Sequence, residues 1–222
     1  MRIRDILGVS ERNQRRATRG MQVALIGFVA IGLERGSIGI IVNASLGLGV
    51  TYLPAILEED YGIPIDPALA LWITTAVFLH GFGTVGLPGS PLSPYRSIGW
   101  WDHLTHMLSA SIVAAAGYTT VRALDNHTDA VQFPSEFVFV FILLFTVAFG
   151  VFWEVIEFAL GRLAAMAGTG TVLTQYGLDD TMKDLLFDTI GGIIVAIWGT
   201  AYLSDVAGAL TAKFDARAEN GK

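Results

Sequence analysis

The chain has 222 residues, of which 53% are hydrophobic and only 15% charged, with a mean hydropathy of +0.56. Soluble domains carry roughly 25% charged residues, so this composition excludes an ordinary soluble domain and a disordered chain, and it points to a membrane protein. A net charge of −6 argues against a nucleic-acid partner, and the absence of Cys excludes disulfides, thiol catalysis and Cys-ligated metal sites.

Residues 1–20 form a basic tail with Arg2, Arg4, Arg12, Arg15, Arg16 and Arg19 opposed only by Asp5 and Glu11. The positive-inside rule keeps such a tail in the cytoplasm. A cleaved signal peptide is the competing reading, but no small-x-small site followed by a polar start is present. Spanning segments need about 20 predominantly apolar residues, and candidates lie near 21–33, 37–57, 67–87, 101–121, 135–160 and 184–203. Read as one helix, Met21–Leu57 would be about 55 Å long, well beyond a core of about 30 Å. Two spans joined at Glu34–Ser37 are expected instead, with a salt bridge from Glu34–Arg35 into the bundle as the alternative to a plain loop. The expected fold class is all-α: one polytopic transmembrane helical bundle of about six spans over 21–206, followed by a polar C-terminal tail at 207–222. The segment 88–99 should be an irregular loop, because it is rich in Pro, Gly and Ser. The linker 161–183 should consist of turns.

Six crossings place both termini inside. Lys and Arg then number ten inside and four outside; a five-span chain gives a similar bias. The expected location is the cell membrane, multi-pass, with a cytoplasmic N-terminus.

Charges near or inside apolar helices are costly and therefore informative. Asp102, His103 and His106 open the fourth span at spacings that place them on one side of a helix. Glu154 and Glu157 lie three apart near the end of the fifth, and Asp180, Asp184 and Asp188 form an acidic stripe entering the sixth. The fourth span begins, the fifth ends and the sixth begins on the same membrane face, so all three clusters share it. Imidazole and carboxylate are ligands for a divalent metal such as Zn, Mn, Fe or Mg. Asp102, His103, His106, Glu154 and Glu157 are the candidate metal ligands, and Asp184 or Asp188 is the candidate general base.

Plainer roles compete. Asp102 can cap its helix, Asp179 and Asp180 can complement a helix dipole, and Glu154 can stand in an interfacial belt with its carboxylate in water. His80 reads more readily as a hydrogen-bonded interior residue than as a third imidazole ligand. Gly191-Gly192 should permit close helix approach, and Trp72, Trp100, Trp101 and Trp198 suit interfacial positions.

The Asp102/His106 pair, the Glu154-x-x-Glu157 pair and Asp184-x-x-x-Asp188-x-x-Gly191-Gly192 together resemble the uncharacterised YjdF-type membrane proteins. More distantly they resemble the VanZ-like proteins, which are associated with glycopeptide resistance. The resemblance runs from Leu53 to Gly199 and takes in Leu53-Pro54 and Leu79-His80-Gly81. It implies a multi-span helical bundle with shared polar positions, and it supplies no activity. The chain departs from the pattern at Thr84-Val85-Gly86-Leu87, where the family has a tyrosine-rich stretch, and in carrying His103.

Three functions follow as expectations: an enzyme acting on a membrane lipid or lipid-linked substrate at the membrane face, a cation or proton transporter, and a structural or accessory membrane subunit.

Overall fold

The computed structural model describes residues 9–86, 92–128, 132–173 and 175–220. Arg2, Arg4, Lys222, the end of the third expected span at 87 and residues 88–91 of the expected loop lie outside them. All regular structure among the described residues is helical.

Helix α1 (Glu11–Glu34) starts where Ser10 accepts a hydrogen bond from the Asn13 amide, a standard N-cap. It therefore begins ten residues before the expected span at 21. Hydropathy marks only the apolar part, whereas the Arg- and Gln-rich turns before it are good helix formers continuous with the span. The helix ends at Gly36, which takes the left-handed φ of +59° that favours glycine. Ser37 then caps α2 (Ile38–Val50), so the break expected at 34–37 is present. Arg35 does not remain in a plain loop: its Nη1 donates to Val85 O at 2.6 Å, at the C-terminus of another helix, where a cation is favoured.

After a turn at Thr51–Tyr52, α3 (Leu53–Glu59) continues the same span, with Pro54 in its first turn, where no amide hydrogen is needed. Asp66 caps α4 (Pro67–Val85) by accepting from the Leu69 amide at 2.8 Å. The segment expected to be irregular contains one helical turn, α5 (Pro94–Ser97), begun by a proline at its N-terminus.

The second half comprises α6 (Trp101–His127), α7 (Ser135–Ala167) and α8 (Leu178–Asn220). The linker expected at 161–183 is shorter than that: helix α7 runs on to Ala167 and α8 begins at Leu178, so only the described residues between them are non-helical, with positive φ at Gly168 and Gly177. Helix α8 starts six residues before the expected span and runs through the expected polar tail. Asp179 and Asp180 occupy its first turn, where negative charge is favoured. Its parts Leu178–Gly199 and Ala201–Glu219 are bent by 79°. The distal part docks on α6 through His127–Asp215 and a hydrogen bond from Thr211 to Ala123 O.

Helices α1, α2 and α4 pack as one trio and α6, α7 and α8 as another, with α4 against α6 joining them. In the second trio Ala114, Tyr118, Ile142 and Val195 form the buried centre. Outward-facing Phe152, Val155, Phe158 and Leu163 of α7 are exposed, the pattern of helices solvated by lipid. Trp101 departs from its expected interfacial place: it is buried, with Nε1 donating to Leu79 O at 3.3 Å. Among the described residues five helices are long and apolar enough to cross a membrane, and the bent α8 brings the number to as many as six.

Candidate functional site

The first two turns of α6, the middle of α7 from Gly150 to Glu157 and the first three turns of α8 converge at one end of the second trio. Glycine lets them converge. A Cβ at Gly191 would stand 2.4 Å from Met107 O, and one at Gly150 would stand 2.3 Å from Asp188 Oδ2; no larger residue fits either place without a shift. Sequence reasoning identified Gly191 and missed Gly150, whose only signal is its isolation in a helix of bulky residues.

Every expected site residue is in this assembly. His103 Nδ1 lies 2.7 Å from Asp184 Oδ1, and its ring stacks on Phe187. His106 Nδ1 lies 3.3 Å from Asp188 Oδ1, and since a carboxylate accepts, Nδ1 carries the proton. Its Nε2 then faces Asp102 Oδ1 at 3.8 Å and Glu154 Oε1 at 3.9 Å, both too far for a hydrogen bond. His106 is 8% exposed, Glu154 5%, Glu157 7%, Asp184 1% and Asp188 3%. Charged groups this deeply enclosed require partners. The belt position considered for Glu154 is therefore excluded, because its carboxylate is not in water.

The partners of Glu154 and Glu157 are neutral groups that sequence reasoning missed. Thr181 donates to Glu154 Oε2 at 2.6 Å, and Gln175 reaches both Thr181 and Glu154. Trp153 Nε1 donates to Glu157 Oε1 at 3.0 Å. Glu154 Oε1 is buried with no hydrogen-bond partner, as among the described residues are Gln14 Oε1 and Thr74 Oγ1, which lie outside the cluster. At the rim, burial first and the neighbouring Asp102 carboxylate second raise the Tyr176 phenol above its usual pKa.

Three overlapping sets have ligand atoms within 4.8 Å of one another: Asp102, His106 and Asp184; His103, Asp180 and Asp184; and His106, Glu154 and Glu157. Asp180 thus joins the cluster, and its Oδ2 also accepts from the Tyr176 amide. Asp179 stays outside, paired with Lys183 on the surface.

His80 is not brought to this cluster. Asn43 spends its amide hydrogens on Gly39 O and Val172 O, both at 2.8 Å, so its Oδ1 accepts from His80 Nε2 at 2.9 Å. His80 Nδ1 accepts from the Tyr95 hydroxyl at 2.6 Å. Both ring nitrogens are occupied, and the network ties the α7–α8 linker to α2, α4 and α5.

Between the trios lies a cavity of about 660 Å³. His106 and Asp188 line it where it meets the cluster, and Ala110, Val113, Phe149 and Leu46 line its apolar length.

A polytopic helical membrane protein with an enclosed His/carboxylate cluster at one end of its bundle is the class that this fold and site define. The chain belongs to the family described as "Predicted membrane protein (DUF2238)", which matches residues 17–205. The expected kinship with an uncharacterised multi-span membrane family is thereby borne out. The chain is also similar to an uncharacterized protein of Thermotoga maritima, at 29% identity over 140 residues. That match covers 63% of this chain and 66% of the relative, so the chain spans just under two thirds of its relative's length. No solved structure matches.

Proposed function

We propose that the cluster binds a divalent cation and that the protein is a membrane enzyme acting on a lipid or lipid-linked substrate at the headgroup level. The observation that carries this reading is Glu154 Oε1, a buried carboxylate oxygen without a hydrogen-bond partner, 3.9 Å from Nε2 of His106. Two metal–ligand bonds of about 2.0–2.2 Å can bridge a gap of up to roughly 4.2 Å, so one cation satisfies both atoms. Six carboxyl groups, from Asp102, Glu154, Glu157, Asp180, Asp184 and Asp188, surround two imidazoles, and a bound cation offsets the excess of negative charge. Glu157 and Asp102 complete the set around His106.

The chain's own residues supply the rest. Asp188 holds the His106 tautomer through Nδ1, the usual outer-shell arrangement of a ligating imidazole. Asp184 holds His103 in the same way. A cation here would polarise a phosphoryl or ester oxygen, and Asp184 and Asp188 are the nearest groups to take up a proton. The cavity argues against an ion pathway: below His106 its lining holds no charged side chain and only the Ser109 and Thr146 hydroxyls among apolar groups, whereas a pathway requires polar steps through the whole thickness.

The Arg12, Arg15, Arg16 and Arg19 turns of α1 favour a cytoplasmic N-terminus in the cell membrane. With six crossings the cluster then faces the extracytoplasmic side.

Metal analysis of the purified, detergent-solubilised chain tests the reading. The expected result is bound Mn²⁺ or Zn²⁺ in wild type and a loss of affinity of at least about 100-fold in His106→Ala, the upper end of what outer-shell changes alone produce. Wild type without bound metal, or His106→Ala with undiminished binding, overturns it.

A further inference from the structure

The apolar length of the cavity between the trios is a feature that the cation reading does not use. The cavity meets the cluster at His106 and Asp188, which lie 3.3 Å apart. The lining follows α7 from Leu160 to Thr146, about 21 Å of helix at about 1.5 Å per residue, and passes the cluster at Gly150, which stands opposite Asp188. Its volume of about 660 Å³ is within the range of roughly 300–1,000 Å³ typical of small-molecule sites.

One wall is open. Helices α2 and α7 line opposite sides of the cavity without packing extensively on each other, and Leu46, Val50 and Phe149 at that gap are exposed. In a spanning bundle, a gap at this depth opens on hydrocarbon rather than water. The opposite wall is closed by the Asn43–His80–Tyr95 network, which fixes the linker residue Val172 over the cavity.

We infer that this cavity is a lateral groove that takes one hydrocarbon chain of a membrane lipid, entering between α2 and α7, and presents an anionic, oxygen-bearing headgroup to the cluster. The groove commits the occupant to the bilayer, because its mouth faces lipid and its lining beyond His106 is apolar apart from the Ser109 and Thr146 hydroxyls. The sign of the headgroup rests on the cation reading: a cation held by carboxylates and imidazole attracts phosphate oxygen.

Photolabelling in nanodiscs separates the two claims. The probe is phosphatidic acid carrying a diazirine near the end of one acyl chain, with the matching diacylglycerol for comparison, and Mn²⁺ binding is measured on the same preparations. Ser109 lines the groove and is exposed, so Ser109→Trp blocks the groove without displacing packed neighbours. Leu46→Trp blocks it from the other wall, and Val155→Trp on the outer face of α7 is the control. Expected are labels concentrated on groove residues such as Val113 and Phe149, reduced at least tenfold in both blocking variants, unchanged in Val155→Trp, and stronger for phosphatidic acid. Mn²⁺ affinity should be the same in Ser109→Trp as in wild type. Labels spread evenly over the lipid-facing surface and insensitive to both blocking variants overturn the groove, even where Mn²⁺ binds. Groove-confined, variant-sensitive labels in a protein that binds no Mn²⁺ support the groove and overturn the cation reading.

Discussion

His80 and His106 line the same groove from facing helices, yet only one of them is in a position to bind anything. His80 has both ring nitrogens occupied by Asn43 and Tyr95, and it serves to pin one wall. His106 has Nδ1 held by Asp188 while Nε2 faces two carboxylates beyond hydrogen-bond reach. The difference shows that a histidine inside a span signals a site only when one nitrogen is left over. The same distinction separates the two trios: the first is cross-linked by neutral pairs, the second encloses charge.

The sharpest way to break this comparison is to remove each imidazole in turn. His106→Ala should lower Mn²⁺ affinity by at least about 100-fold and should also lower thermal stability, because it leaves the buried Asp188 carboxylate without its partner. His80→Ala should lower stability alone. It leaves the Asn43 and Tyr95 polar atoms unsatisfied, at a cost of about 1–3 kcal/mol, while Mn²⁺ affinity stays within about twofold of wild type by titration calorimetry. Equal effects of the two variants on affinity would erase the division between wall and site. Next comes Gly191→Ala, which forces a Cβ against Met107 O. Overpacking of this kind costs about 1–3 kcal/mol, seen as a lowered Tm in detergent. Retained stability would mean that α6 and α8 part easily.

Much of the site was legible in the sequence because spans impose alternation. Once the fourth, fifth and sixth spans are placed, Asp102, His106, Glu154, Glu157, Asp184 and Asp188 must share one face, and spacings of three and four aim them together. Neutral partners were not legible. Thr181, Gln175 and Asn43 have no feature in sequence that marks them before the helices are packed, and Gly150 matters only because Asp188 happens to lie across from it. Helix limits failed for a different reason. Hydropathy measures the part of a helix that lipid can solvate, so α1 and α8, which continue into polar turns, were expected to be shorter than they are. The groove was invisible, since it is a relation between two trios that no local pattern encodes.

Smaller effects sharpen the comparison within the cluster. Asp188→Asn keeps an oxygen that accepts from His106 Nδ1 and removes one negative charge, so Mn²⁺ affinity should fall by about tenfold, the lower end for an outer-shell change. A fall as large as that of His106→Ala would instead make Asp188 a direct ligand. Calorimetric titration distinguishes the two.

Arg35 supplies the weakest and most discriminating case, because it is a cation near the same membrane face that belongs to the other trio. Its hydrogen bond to Val85 O sits at the C-terminus of α4, where a cation contributes about 0.3–1 kcal/mol. Arg35→Gln should therefore lower Tm by no more than about 2–4 °C. It should also leave Mn²⁺ affinity nearly unchanged, since the Arg35 guanidinium is engaged with a helix end rather than with the carboxylates. A change in affinity approaching tenfold would show that the field of the first trio reaches the cluster, and the division into a bracing half and a charged half would then have to give way to one continuous site.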